Sequence, residues 1–142
     1  MTTLRDIMTT NVATVSLLDN AFEVAERMEQ LNVGAIPVVD GNNLVGMITD
    51  RDLVLRGYAQ KRSGSSSVEG LMTTDIVVGT PEMSVDEAAR LMAERQIRRL
   101  PVVENGSLVG IVSIGDLAVR NDSADEAGEA LTQISQSSRT EM

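Results

Sequence analysis

The sequence predicts a mixed α/β (α+β) fold made of two β-α-β-β-α repeats with pseudo-twofold symmetry. Three observations predict it. Residues 7–56 slide by 64 onto residues 71–120 without a gap, and fifteen of those fifty positions are identical. Similarity at a fixed offset marks a duplicated structural unit. In each copy an amphipathic helical stretch precedes two short apolar runs, and the gap between those runs holds Gly and Asn, as a hairpin does. Two copies imply matching surfaces and a cleft where they meet.

The elements follow in the same order twice, over 3–56 and 67–120. Each copy opens on Met-Thr-Thr (8–10 and 72–74) and an extended stretch, 12–15 and 76–79. A helix follows at 21–31 and 85–95. Asn20 with Glu23, and Ser84 with Glu87, have the spacing of an N-cap and its reciprocal partner, the second being a Ser-x-x-Glu box. Ala21, Phe22, Val24, Ala25, Met28 and Leu31 cover about half of the first helix. Val85, Ala88, Ala89, Leu91, Met92 and Ala93 do the same on the second. An arc that wide exceeds what packing on one sheet needs, so a second contact is expected, with the other repeat or another protomer. The paired strands lie at 36–39 and 44–48, then at 100–103 and 108–112. A short helix ends each copy, at 52–56 and 116–120. Residues 57–66 read as a polar, flexible connection, and 121–142 as an acidic, Ser-rich tail.

Composition narrows the chemistry. Each repeat alone is near the size at which a core becomes marginal, so one shared core is expected. It must be aliphatic, since Phe22 and Tyr58 are the only aromatics. The chain has no His and no Cys, which removes imidazole acid–base catalysis, thiolate nucleophiles and the usual zinc ligands. A net charge of −9 opposes nonspecific binding to nucleic acid. About −4 of it belongs to the tail, where five acids face Arg139. No apolar run approaches a membrane span, and the N-terminus lacks signal-peptide regions. A cytoplasmic location is expected, with no membrane and no nucleic-acid partner.

The strongest constellation is Gly46-Met-Ile-Thr49-Asp-Arg-Asp52 with its counterpart Gly110-Ile-Val-Ser113-Ile-Gly-Asp116. Both read Gly-x-x-[Thr/Ser]-x-x-Asp where a strand meets a short helix. Such a junction can seat a nucleotide. Free N–H groups at the helix start face a phosphate, the hydroxyl of Thr49 or Ser113 adds a donor, and the carboxylate three residues on accepts from a ribose. Gly46 and Gly110 would leave room for a flat ring. The same spacing equally describes a helix cap, with Thr49 answered by Asp52. Spacing alone does not decide between them. Met28 and Met92 lie on helical core stripes and read as packing. Asp50 and Asp52 offer a divalent cation two carboxylates and no further ligand.

Taken together, the Met-Thr segments, the [Ala/Arg]-[Ile/Leu]-Pro-Val-Val strands and the paired Gly-x-x-[Thr/Ser]-x-x-Asp endings resemble a tandem pair of CBS domains, a Bateman module. The resemblance covers about residues 3–120. It implies two related clefts for adenine-containing ligands: AMP, ADP or ATP, or alternatively S-adenosylmethionine or NAD. The family's ribose carboxylate falls on Asp52 and Asp116, and its hydroxyl on Thr49 and Ser113. The base would be held by the stretches around Thr14, Ala35, Ile36 and Pro37, and around Val78, Leu100 and Pro101. Phosphate neutralisation points to Arg51, Arg98 and Arg99. Because Gly34-Ala35 stand where the second copy has Arg98-Arg99, and Gly115 where the first has Arg51, the two clefts are expected to differ. Family members often dimerise, which would use the surplus helical arc.

The expected function is regulatory or sensory rather than enzymatic: a homodimer that binds an adenine nucleotide, requires no cofactor and no metal, and signals through its own state or an unknown protein partner. Two rivals stand beside it, a structural or protein-interaction dimer with vestigial clefts and a carboxylate-based enzyme acting on a nucleotide.

Overall fold

A computed structural model gives the fold, and it describes residues 1–118. Arg120 and the tail read over 121–142 lie outside the described residues. The chain divides into two compact units. Ala13–Ile76 form a central unit, and Met1–Val12 join the described residues from Val77 to Ala118 in a split unit. The compact units are therefore offset from the sequence repeats. The opening segment of each repeat packs with the body of the other repeat's unit.

In the central unit, β1 (Val15–Ser16) leads through α2 (Ala21–Leu31) to β2 (Ala35–Asp40) and β3 (Asn43–Thr49). α1 (Leu4–Ile7) precedes them in the chain and belongs to the split unit. β1 runs parallel to β2, with Val15 beside Val38, and β3 runs antiparallel, with Ala35 across from Thr49 and Pro37 across from Met47. α3 (Asp50–Asp52) continues into a π-helical turn at Leu53–Gly57 and a 3-10 turn at Tyr58–Gln60. In the split unit, α4 (Val85–Arg95) precedes β4 (Arg99–Glu104), β5 (Ser107–Ser113) and α5 (Ile114–Ala118). β4 and β5 pair antiparallel, Arg99 across from Ser113 and Pro101 across from Ile111.

The mixed α/β class and the order of elements hold. The first strand of each copy is shorter than 12–15 and 76–79 and begins at their last residues. In the central unit it is Val15–Ser16. In the split unit it shrinks to a single parallel bridge between Gly79 and Val102. Pro81 is the reason. Its counterpart Leu17 donates its N–H to the Val39 oxygen at 2.9 Å, and proline has no N–H to give. Both hairpins carry a bulge, at Val38/Val39 and Val102/Val103. Their two-residue loops differ: Gly41 alone has positive φ in the first, Asn105 and Gly106 both in the second. Those are the II′ and I′ patterns.

Each unit has its own core, in place of the single shared one expected. Val15, Val24, Met28, Ile36, Val38, Ile48, Val68, Leu71 and Met72 fill the central unit. Leu4 joins Val85, Ala88, Ala89, Met92, Leu100, Val102, Val112, Ile114 and Leu117 in the split unit. The exchanged opening segments supply Leu4 to one core and Val68, Leu71 and Met72 to the other, which is how such small bodies become large enough to bury a core.

The helix caps are in place, with one difference. Asn20 and Glu23 exchange both bonds, at 2.9 and 3.0 Å. At Ser84 the hydroxyl accepts from the Glu87 N–H at 3.1 Å, and the cap is one-sided. The connection at 57–66 includes a 3-10 turn, Tyr58–Gln60, and bonds to the start of α2. Ser66 and Gly64 accept from the first N–H groups of α2, those of Ala21 and Phe22, at 2.9 Å. Those donors have no partner inside the helix, so the connection satisfies them.

Candidate functional site

The hairpin register assembles the site in each unit. Because Ala35 lies across from Thr49, and Arg99 across from Ser113, the residue entering one strand meets the hydroxyl leaving the other. A backbone bond closes the junction beneath them: Asp50 N–H to Gly34 O, and Ile114 N–H to Arg98 O, both at 2.9 Å. The two units share this frame.

Thr49 and Asp52 form a reciprocal cap. The Asp52 N–H reaches Thr49 Oγ1, and the Thr49 N–H reaches Asp52 Oδ2, each at 3.0 Å. Ser113 and Asp116 repeat it at 3.2 and 3.0 Å. The cap that spacing alone left open is therefore made, twice. It does not exhaust the groups. Each carboxylate commits one oxygen to the cap, and each hydroxyl accepts in it and keeps its own hydrogen to donate. The Asp52 side chain is 14% exposed, and its Oδ1 lies 3.8 Å from Arg56 Nε. Half-buried carboxylates held by backbone bonds are pre-oriented acceptors for a vicinal diol.

The helix starts offer less to an anion than expected. In the central unit every first-turn N–H is taken: Asp50 by Gly34 O, Asp52 by Thr49 Oγ1, and Arg51 by the Asp50 carboxylate at 2.8 Å. In the split unit, Gly115 has no such neighbour, since Ile114 replaces Asp50 and is buried.

The apolar stretches divide between core and surface. Ile36 is 1% exposed and Leu100 0%, and Pro37 and Pro101 are also buried. The Ile36 and Leu100 side chains belong to the cores. Ala35, Arg99, Thr14 and Val78 keep exposed surface. The Thr14 oxygen accepts from Arg27 Nε at 3.2 Å, so that carbonyl already has one partner. Arg51 and Arg98 are exposed and Arg99 is half-buried. None of these three guanidinium groups has a partner among the described residues.

Gly46 and Gly110 do not make room for a ring. A Cβ on Gly46 would stand 2.8 Å from the Thr73 oxygen and 2.9 Å from Met72 Sδ, and one on Gly110 2.5 Å from Met8 Sδ. The Met-Thr segments occupy that space, bridging Thr73 to Met47 and Thr9 to Ile111. Two further side chains escaped the sequence reading. Arg56 donates to the Met72 oxygen, and its identity to Arg120 at the repeat offset was the available signal. Asp50 was weighed only as a cation ligand, although the copies differ most around it.

Among the described residues there is no group of three or more acidic side chains placed to hold a metal, and no helix long and apolar enough to cross a membrane.

Comparison with known proteins identifies the fold. The family model for the CBS domain matches twice, at residues 4–57 and 68–134. The CBS domain-containing protein YhcV of Bacillus subtilis is 53% identical over 135 residues, covering 95% of this chain and 96% of the relative. Among solved structures, Hypoxic Response Protein I with two coordinated zinc ions aligns with a TM-score of 0.76 at 35% identity, covering 83% of this chain and 98% of that one. CBSX2 in complex with AMP aligns with a TM-score of 0.73 at 32% identity, covering 83% and 94%. With two matches, a duplicated strand–helix–hairpin–helix unit and relatives of the same length, the chain belongs to the CBS-domain family and carries two copies of the domain.

Proposed function

We propose that this protein is a regulatory module that binds an adenine nucleotide, or a related adenosyl ligand, at the Thr49–Asp52 and Ser113–Asp116 junctions. One observation carries the reading. In both units a hydroxyl and a carboxylate are fixed on a common backbone frame, each with bonding capacity left after capping. A ribose presents two adjacent hydroxyls to such a carboxylate, and the hydroxyl of Thr49 or Ser113 donates to a ligand oxygen. The AMP complex of CBSX2 supports the ligand class. AMP, ADP and ATP lead, followed by S-adenosylmethionine and NAD. Hypoxic Response Protein I holds zinc, whereas this chain has neither His nor Cys, and its role as read here requires no metal and no catalysis.

The output runs through the protein's own state or a partner, in the cytoplasm. A ligand shifts such a state only by its differential affinity for the two forms. Phe22 and Leu31 on α2, with Val54, Leu55 and Tyr58 on the turns after α3, are exposed apolar side chains of the central unit and fit a second copy of the chain. The same exposed side chains favour the rival reading, a protein-interaction dimer whose junctions serve only as caps.

A thermal-shift panel of AMP, ADP, ATP, S-adenosylmethionine and NAD decides between them, each measured against the ligand-free protein. A ligand at a hundred times its Kd adds about 2.7 kcal/mol, a shift of several degrees for a body of this size. No shift with any of the five would leave the interaction dimer.

A further inference from the structure

The two copies of the site differ in charge where the first hairpin strand begins. In the split unit, Arg98 and Arg99 enter β4, and the residues across the junction are the buried Ile114 and the small Gly115. Two guanidinium groups thus accompany one carboxylate, Asp116. In the central unit the corresponding residues are Gly34, Ala35, Asp50 and Arg51, so two carboxylates, Asp50 and Asp52, meet Arg51 and Arg56, the second of which lies 3.8 Å from Asp52 and is drawn away to the Met72 oxygen.

The Asp50 carboxylate is also held in place. Its Oδ1 accepts from the Arg51 N–H at 2.8 Å, and its Oδ2 stands 3.0 Å from the point a Cβ on Gly34 would occupy. It therefore leans over the start of β2, at the position from which Arg98 projects in the other unit. Gly34 permits this; a side chain there would push the carboxylate away.

We propose that the two sites sort adenosyl ligands by charge. The split unit takes those bearing phosphate, and the central unit takes uncharged or cationic ones, because the Asp50 carboxylate stands where a phosphate would lie. This rests on the reading that both junctions bind adenosyl ligands. A fixed negative charge close to a phosphate at the protein surface lowers affinity by about tenfold.

The test is an NMR titration of the ¹⁵N-labelled chain with ATP and, separately, with uncharged adenosine. The Gly115 and Asp116 amides report the split unit, and the Gly34 and Asp52 amides the central one. ATP is expected to saturate the Gly115 and Asp116 shifts at about tenfold lower concentration than those of Gly34 and Asp52. The preference should be absent with adenosine. Asp50→Ala should raise ATP affinity at the Gly34 reporter about tenfold. Asp50 is exposed and its N–H bond to Gly34 is backbone, so the variant keeps the frame. Arg98→Ala/Arg99→Ala should weaken ATP at the Gly115 reporter. Equal ATP affinity at both reporters, or no change in Asp50→Ala, overturns the sorting while leaving adenosyl binding intact. If neither ATP nor adenosine moves any of the four amides, adenosyl binding itself fails, and the sorting with it.

Discussion

Arg56 Nη1 donates to the main-chain oxygen of Met72 at 2.9 Å, and the same guanidinium approaches Asp52 Oδ1 through Nε at 3.8 Å. One side chain thus links the candidate ribose carboxylate to the opening segment of the second repeat, within the central unit. Charged hydrogen bonds of this kind are worth about 1–3 kcal/mol, and half exposure puts this one at the lower end. Arg56→Ala should lower stability by about 1 kcal/mol in urea denaturation. An unchanged midpoint would show that the opening segment is held by its apolar side chains alone.

The Met-Thr segments cross glycines, and the two crossings differ in stiffness. At Gly46 the nearest obstacle to a Cβ is backbone, the Thr73 oxygen at 2.8 Å; at Gly110 the three nearest atoms all belong to the Met8 side chain. Gly46→Ala should therefore cost about 1–3 kcal/mol as overpacking, and Gly110→Ala less, because the methionine can change rotamer. Denaturation of the two variants side by side checks the order. A larger loss for Gly110→Ala would contradict it.

The Thr49 and Ser113 hydroxyls cap helices whether or not they also meet a ligand. Thr49→Ala and Ser113→Ala should each cost about 1 kcal/mol of stability. Thr49→Ser keeps the acceptor and should recover most of the first loss. If Thr49→Ala leaves the denaturation midpoint unmoved, the cap contributes nothing and the hydroxyl is there for the ligand.

Arg5 Nη2 bonds Glu82 Oε1 at 2.9 Å and Glu104 Oε2 at 3.0 Å, fastening α1 within the split unit. The central unit has Glu69, Leu18 and Asp40 at the matching positions and lacks the triad. The hydrogen bond from Arg5 holds the Glu82 carboxyl below its ordinary value of 4.5, while the hydrogen bonds to the two glutamates raise the Arg5 pKa above its ordinary value. A depressed carboxyl pKa stabilises fully above the ordinary value and stops doing so as pH falls through the lowered one. The stability difference between wild type and Arg5→Ala should be constant from about pH 5 to 8 and shrink below pH 4.5. All three groups are exposed, so the effect is small. A difference that persists undiminished at pH 3 would show that Arg5 acts through packing.

Much of this was legible in the sequence, because duplication shows each element twice. The helices at 21–31 and 85–95 match α2 and α4, and the turn residues located both hairpins. What escaped depends on long-range pairing. Nothing local to Gly46 says that Met72 will cross it, since that contact spans half a repeat and an exchange of opening segments. Pro81 shortened a strand whose apolar residues alone would have extended it. At the site, the cap at Thr49–Asp52 was one of two readings that spacing could not separate. The Asp50 carboxylate on the Arg51 N–H was invisible for another reason. A self-capping side chain depends on the rotamer it adopts over Gly34, which no pattern of residue types encodes.

The most direct measurement of the central claim is isothermal titration calorimetry of the whole chain with AMP, beside an Asp52→Ala/Asp116→Ala variant shown by circular dichroism to be folded. Saturable AMP binding in the wild type, lost or weakened at least tenfold in the variant, is the result predicted. No binding at millimolar AMP, or equal binding by the folded variant, would contradict it.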